Sequence, residues 1–245
     1  MARMRLPFPM PRRRGGSSGM PGMRGRSSFK ARLIIALAIA AFAMLSYYGK
    51  PKDQNLVTGE QERVALIEED QEIQLGLQAA PQLVQQHGGP TSKAVHQERV
   101  ERIGFRLLTA LERDLQSKGR SNPYREAFRF TLLSDPKLVN AFALPGGQVF
   151  ITEALYSQLE TEGQLAGVLG HEIGHVIERH GNKQMAKQGL LQGLAGAAGV
   201  LGGTEESARA AEMVSAVISM KYGREAEYES DHWGVRLCAM GGYDP

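Results

Sequence analysis

Residues 161–181 read TEGQLAGVLGHEIGHVIERHG, and the way this stretch winds decides how the rest of the chain is read. Thr161 followed three residues later by Gln164 is a helix-start pattern in which each side chain satisfies a main-chain N–H of the other. Leu165, Val168, Leu169, Val176 and Ile177 recur at helical spacing and supply an apolar face. The stretch therefore predicts a helix, and a helix sets residues four apart one above the other. His171 and His175 then point the same way and can reach one tetrahedral ion, while Glu172, one step round, addresses a water on that ion. A His-Glu-x-x-His pattern has only three fixed positions, so a third ligand has to confirm it.

Two layouts supply that ligand. The first needs Gly three positions after the second His and another His three further on; Glu178 and Gly181 stand there, which excludes it. The second takes a Glu from a later helix, where Glu205, Glu206, Glu212, Glu225, Glu227 and Glu229 compete. At about 100° per residue, Arg224, Glu227, Asp231, Gly234, Val235 and Cys238 share one side of a helix, and Glu225, Glu229, His232 and Arg236 the other. The second set reads as a solvated charge stripe and the first as the inward face. Carboxylates buried there without partners would cost several kcal/mol, and a cation with imidazole N–H donors removes that cost. Glu227 is thus the predicted third ligand. Asp231 is predicted to accept the free N–H of a ligand histidine, Arg224 to neutralise the acidic pair, and Gly234 to let the two helices approach. His180 falls on a different side of an ideal helix from the ligands and reads as structural.

Upstream of the metal motif the period changes. Phe128, Phe130 and Leu132 alternate with polar residues, and residues 140–144 and 148–152 flank Pro145-Gly146-Gly147. This predicts a small antiparallel meander of about three strands. Before it, residues 60–86 and 92–117 read as helices, the latter with Val100, Ile103, Leu107, Leu108, Leu111 and Leu115 on one face. The expected fold is α+β: a mainly helical, zincin-like domain over residues 60–245, with the meander lying over the motif helix. The glycine-rich stretch 189–203 is too short to span a bilayer. It reads either as a packed or mobile connector or as a flap touching cleft or membrane.

The first 32 residues hold nine of the 29 Lys and Arg and no Asp or Glu, and their Arg/Pro/Gly/Ser composition predicts disorder. The remainder carries 20 basic against 26 acidic groups, so the excess of positive charge belongs to a tail, and a nucleic-acid partner is not expected. Residues 33–49 form an apolar run closed by Tyr47 and Tyr48, with the basic flank before it. That polarity predicts a cytoplasmic N-terminus and a body beyond the membrane, in the cell envelope. Two fates fit the segment, a single-pass inner-membrane anchor or a signal removed to leave a soluble periplasmic protein. Residues 50–59 read as a linker. Cys238 is the single cysteine, which excludes an intrachain disulfide and a cysteine-rich zinc knuckle.

Three separated strings, NAFALPGG (140–147), HEIGHVIERH (171–180) and REAEYESDHWG (224–234), with GYDP at 242–245, resemble the CAAX-prenyl-protease and HtpX-like family of membrane-associated gluzincins. The likeness is strongest to its soluble-bodied envelope proteases that enhance outer-membrane β-barrel assembly. It runs over residues 60–245. The resemblance implies a zinc endopeptidase with one Zn2+ per chain, the motif helix, a Glu four residues before an Asp as third ligand, and an edge strand over the cleft. These map onto His171, Glu172, His175, Glu227 and Asp231. Ser230 departs from the family's Ala, and the family pattern continues past Pro245, which implies a domain truncated at its C-terminus. With zinc, Glu172 is the expected general base. Unfolded or misfolded chains would lie extended along Asn140, Ala141, Phe142, Ala143 and Leu144 as an added strand. A rival reading keeps the zinc fold and groove only to hold such chains; a general base at Glu172 argues against it.

Overall fold

The computed structural model describes residues 29–65, 68–202 and 222–244. Of residues 1–32, expected to be disordered, 1–28 lie outside them, as do the rival ligands Glu205, Glu206 and Glu212, and residues 29–32 are instead the first turn of a helix. In chain order the elements are α1 (Phe29–Tyr48), β1 (Asp53–Gln54), β2 (Gln61–Glu62), α2 (Glu69–Gln86), α3 (Ala94–Ser117), β3 (Arg129–Leu133), β4 (Ala141–Leu144), β5 (Gln148–Thr152), α4 (Glu153–Tyr156), α5 (Glu162–Ile177), α6 (His180–Gly202) and α7 (Arg224–Gly241). The α+β class stands, mainly helical with one small three-stranded sheet.

The antiparallel meander does not stand. The sheet order is β3-β5-β4: β4 and β5 form a hairpin, but β5 runs parallel to β3, with Phe130 opposite Val149. The reason lies in β5, whose residues are all buried, so it takes the centre and is covered on both faces. The two outer strands differ in what lies beside them. Along β3, Gln97 of α3 donates to the Phe130 carbonyl and accepts from the Leu132 amide, and Thr91 and Ser134 tie it to the turn after α2. β4 is left as the edge beside the cleft.

The core forms where α3 meets the sheet and α5. Val100, Ile103, Leu107, Leu108, Leu111 and Leu115 of α3 are buried against Phe128, Phe130 and Leu132, with Leu165, Leu169, Ile173 and Ile177 of α5 completing the layer. Thr161 and Gln164 form the reciprocal cap expected at the start of α5. α7 lies antiparallel to α5, with Gly234 against Gly170 and Ser230 against Gly174. A Cβ added at Gly170 would stand 3.1 Å from the Gly234 backbone, so glycines at both positions permit the close approach that brings Glu227 to the motif.

Two sequence boundaries shift. α2 starts at Glu69 rather than at residue 60, and the stretch read as a linker is partly built into the body. β1 and β2 pair there, Val57 is buried in the core, and the Asn55 amide donates to the Ile177 carbonyl at 2.8 Å. Arg179 fastens this corner: its buried guanidinium pairs with Glu72 of α2 at 2.6 Å and with Asp53 of β1. Arg179 has φ 55°, and this left-handed residue ends α5 and turns the chain into α6. At the other end, α1 begins at Phe29, four residues before the expected apolar run, and packs along α6. The stretch 189–202 is therefore helical and packed rather than a loose connector.

Candidate metal centre

Successive turns of α5 carry His171 and His175, and their Nε2 atoms lie 3.0 Å apart. Glu227, near the start of α7, brings one carboxylate oxygen to 3.6 Å from His171 Nε2 and the other to 3.8 Å from His175 Nε2. Bonds of about 2.0–2.1 Å to a tetrahedral zinc put ligand atoms roughly 3.3 Å from one another, so the spacing of these three fits one ion. The donor chemistry fits as well. Burial, then the charges of His180 and His171, push His175 down to about 3, which keeps its imidazole neutral, the state that ligates a metal.

Glu172 faces the same cleft and is buried. Desolvation, and after it the charge on Glu227, push its carboxyl up to about 8, well above the ordinary carboxylate range. A carboxyl held so close to neutrality can both accept and return a proton.

The two imidazoles are held differently. His171 Nδ1 lies 2.8 Å from an Asp231 carboxylate oxygen, the partner expected for it, at the open rim of the cleft where Asp231 is 71% exposed. His175 Nδ1 instead lies 2.9 Å from His180 Nδ1, and His180 Nε2 lies 2.8 Å from Glu229. One set of tautomers satisfies the whole chain. With the Nε2 lone pair of His175 turned to the ion, its Nδ1–H donates to His180, whose own Nε2–H donates to Glu229.

Several sequence expectations are corrected here. His180 is buried against His175 rather than pointing away. The helical wheel fails because α5 ends at Ile177 and Arg179 redirects the chain, so His180 opens a new helix. Glu229 is half-buried at His180 and is not part of a solvated stripe. From that stripe Arg236 also departs, pairing with Asp114 at 2.7 Å and covering Trp233. The buried face of α7 is Ser230, Trp233, Gly234, Leu237 and Cys238; Val235 is 57% exposed, and Glu227 and Asp231 sit on the rim. Arg224 is exposed and, among the described residues, makes no ion pair with Glu227 or Asp231; it borders a separate surface hollow.

Glu178, His180 and Glu229 also bring potential ligand atoms together. Here Glu178 accepts from the Trp233 indole at 2.6 Å, and the Lys183 ammonium lies 3.6 Å from its other oxygen. Lys183 also pairs with Glu62 at 2.7 Å, so the carboxylates here already have protein partners, and the group reads as the support of His180.

The cleft runs from this centre along β4. Asn140, Ala141, Phe142 and Ala143 line it, together with Val139 and Val168. Leu144 does not; it borders a small neighbouring hollow with Pro145 and Arg179. Tyr222, just before α7, was not foreseen. Its ring stacks on His175 at 4.4 Å between centroids, and burial with the charges of Glu172 and Glu227 pushes its phenol up to about 12. Nothing local marks it, since the contact joins residues 47 positions apart in the chain.

A profile described as peptidase family M48 matches residues 96–245, more than half of the chain. The beta-barrel assembly-enhancing protease of Escherichia coli K12 is 31% identical over 166 residues, covering 60% of this chain and 30% of that protein. The same-named protein of Yersinia pestis is 31% identical over 145 residues, 51% of this chain and 27% of that one. A mitochondrial metalloendopeptidase OMA1 of Arabidopsis thaliana is 30% identical over 117 residues, 46% of this chain and 23% of its own length. The match thus spans less than a third of each of these relatives.

Proposed function

The chain belongs to peptidase family M48 and is a metalloprotease, and from that premise we infer that it is a zinc endopeptidase acting on unfolded or misassembled envelope proteins. The observation that carries this reading is the convergence of His171, His175 and Glu227, with spacings of 3.0 to 3.8 Å, beside a buried carboxyl and an edge strand. A zinc ion held by those three residues would polarise the scissile carbonyl and acidify a water. Glu172 takes the proton of the attacking water and passes it to the leaving amine nitrogen. Asp231 holds the ring of His171, and His180 with Glu229 holds that of His175, each in the tautomer that turns Nε2 inward. The substrate lies extended beside β4 and hydrogen-bonds to its main chain, so backbone geometry is recognised ahead of side chains.

α1 is long and apolar enough to cross a membrane. We assign it as a single anchor, with the basic N-terminus cytoplasmic and the body on the far side of the membrane. Digestion of casein or another unfolded chain tests the enzymatic reading, with Glu172→Gln as the control. Loss of cleavage with metal retained supports it. Equal behaviour of the two proteins with metal bound would instead leave a groove that only holds chains.

A further inference from the structure

We propose that residues 189–202 of α6 are immersed in the lipid bilayer beside α1, so that two helices rather than one hold the peptidase body to the membrane. The inference rests on the anchor assignment of α1. α1 ends where the body begins, and α6 starts from the metal centre at His180, so both leave the body on one side and run antiparallel. Their contact is close: a Cβ added at Gly193 would stand 2.4 Å from the Ala43 Cβ. Small residues at such a seam let helix backbones approach within a membrane. The buried residues of α1 are Ala36 and Ala43, whereas its large side chains point away, with Ile34 67%, Phe42 74% and Leu45 70% exposed.

Charge is distributed along the pair as a bilayer would require. From 189 to 202 the sequence is GLLQGLAGAAGVLG, in which Gln192 is the single polar side chain. Exposed Lys187 precedes this stretch, whereas Lys183 is turned into the body onto Glu62. At the same end of the pair, Arg63 lies over the rings of Tyr47 and Tyr48, 5.9 and 5.2 Å from their centroids. A basic and aromatic collar of this kind marks the headgroup level. Measured from Tyr48 at about 1.5 Å per residue, Ala43 and Gly193 lie roughly 8 Å inside it, and Leu37 and Ala198 both lie near 15 Å. A helix packed against a spanning helix at those depths is surrounded by the same lipid. Two points of attachment fix the height and orientation of the cleft over the membrane surface, which a single flexible tether does not.

The test uses the full chain carrying Cys238→Ala, reconstituted in phosphatidylcholine/phosphatidylglycerol vesicles. A nitroxide is placed at Ala198→Cys, at Leu194→Cys as a second α6 position, or at Leu37→Cys on α1. Power saturation then compares relaxation by oxygen, which concentrates in lipid, with relaxation by a water-soluble nickel complex. The expected result is oxygen relaxation and loss of nickel relaxation at all three positions. Nickel relaxation at both α6 positions with lipid behaviour at Leu37 overturns the proposal and leaves the anchor standing. Nickel relaxation at Leu37 itself removes the anchor assignment and the proposal with it. Shielding from both reagents on α6 means that protein covers it, and also overturns the proposal.

Discussion

The two imidazoles of the candidate metal centre are one helical turn apart, yet their surroundings have little in common. His171 sits at the rim, where an exposed carboxylate, Asp231, takes its outer N–H. His175 is buried, and its outer nitrogen is met by a second histidine whose own outer nitrogen reaches Glu229. The same ligand chemistry is thus fixed once by a charge in water and once by a neutral relay shielded from it. Burial makes the difference: an exposed carboxylate keeps its hydration, whereas a buried one beside His175 would need a cation or a proton of its own. Interposing His180 moves the charge to the half-buried Glu229 and leaves only neutral groups at the ligand.

The largest effect should come from the residue that belongs to neither side. Glu172→Gln is expected to lower peptide cleavage by about 10²–10⁴-fold with metal content unchanged by elemental analysis. A parallel loss of metal would mean that the carboxyl supports the ligands, and the two-sided description would have to be redrawn. Next come the supports themselves. Loss of an outer partner costs about 10–100-fold in metal affinity, so His180→Ala should fall toward the upper end and Asp231→Ala toward the lower, as read by chelator competition. The reverse order would break the contrast between buried and exposed sides.

Acid should separate the sides further in metal-stripped protein. Burial first, followed by neighbouring cations and histidines, pushes both His175 and His180 down to about 3 in the folded chain. Between the ordinary value near 6.5 and about 3, the unfolded chain binds protons that the folded chain refuses, so stability must fall as pH falls through that window. Each histidine contributes at most about 1.4 kcal/mol per pH unit, and urea titrations of wild type and His180→Ala should show a shallower pH slope in the variant. Identical slopes would mean that His180 is solvated. The smallest effect is expected from salt. Raising ionic strength should weaken the exposed His171–Asp231 contact and reduce the penalty of Asp231→Asn, while leaving that of Glu229→Gln nearly unchanged.

Part of this centre is legible in the sequence alone. The pair His171 and His175 and the cap at Thr161 and Gln164 follow from spacing along one helix. Glu227 and Asp231 follow only as a pair on one face of a later helix, a face expected to be buried that lies on the rim, with Glu227 48% and Asp231 71% exposed. Local pattern and tertiary structure part where an element ends earlier than its period suggests or a strand pairs with other than its sequence neighbour. His180 was misplaced because the helix was carried through Arg179. β3 was paired with β4 because nothing in residues 128–152 states that the all-buried β5 takes the centre. Val235 and Arg224 were placed inward because a wheel gives relative angles but not where the contact stripe begins or how wide it is.

The amino-acid sequence by itself determined that His171 and His175 share one helix face with the Glu172 carboxyl beside them, and that Glu227 and Asp231 share one face of a later helix, because covalent helix geometry repeats every 3.6 residues wherever the helix sits. Only the tertiary structure decided that His175 leans on His180 and Glu229, that Tyr222 stacks on it, that β4 is the open edge and that α6 lies along α1. Those relations join separate elements, and they depend on where the chain turns and which surfaces the core leaves uncovered, quantities that no local period carries.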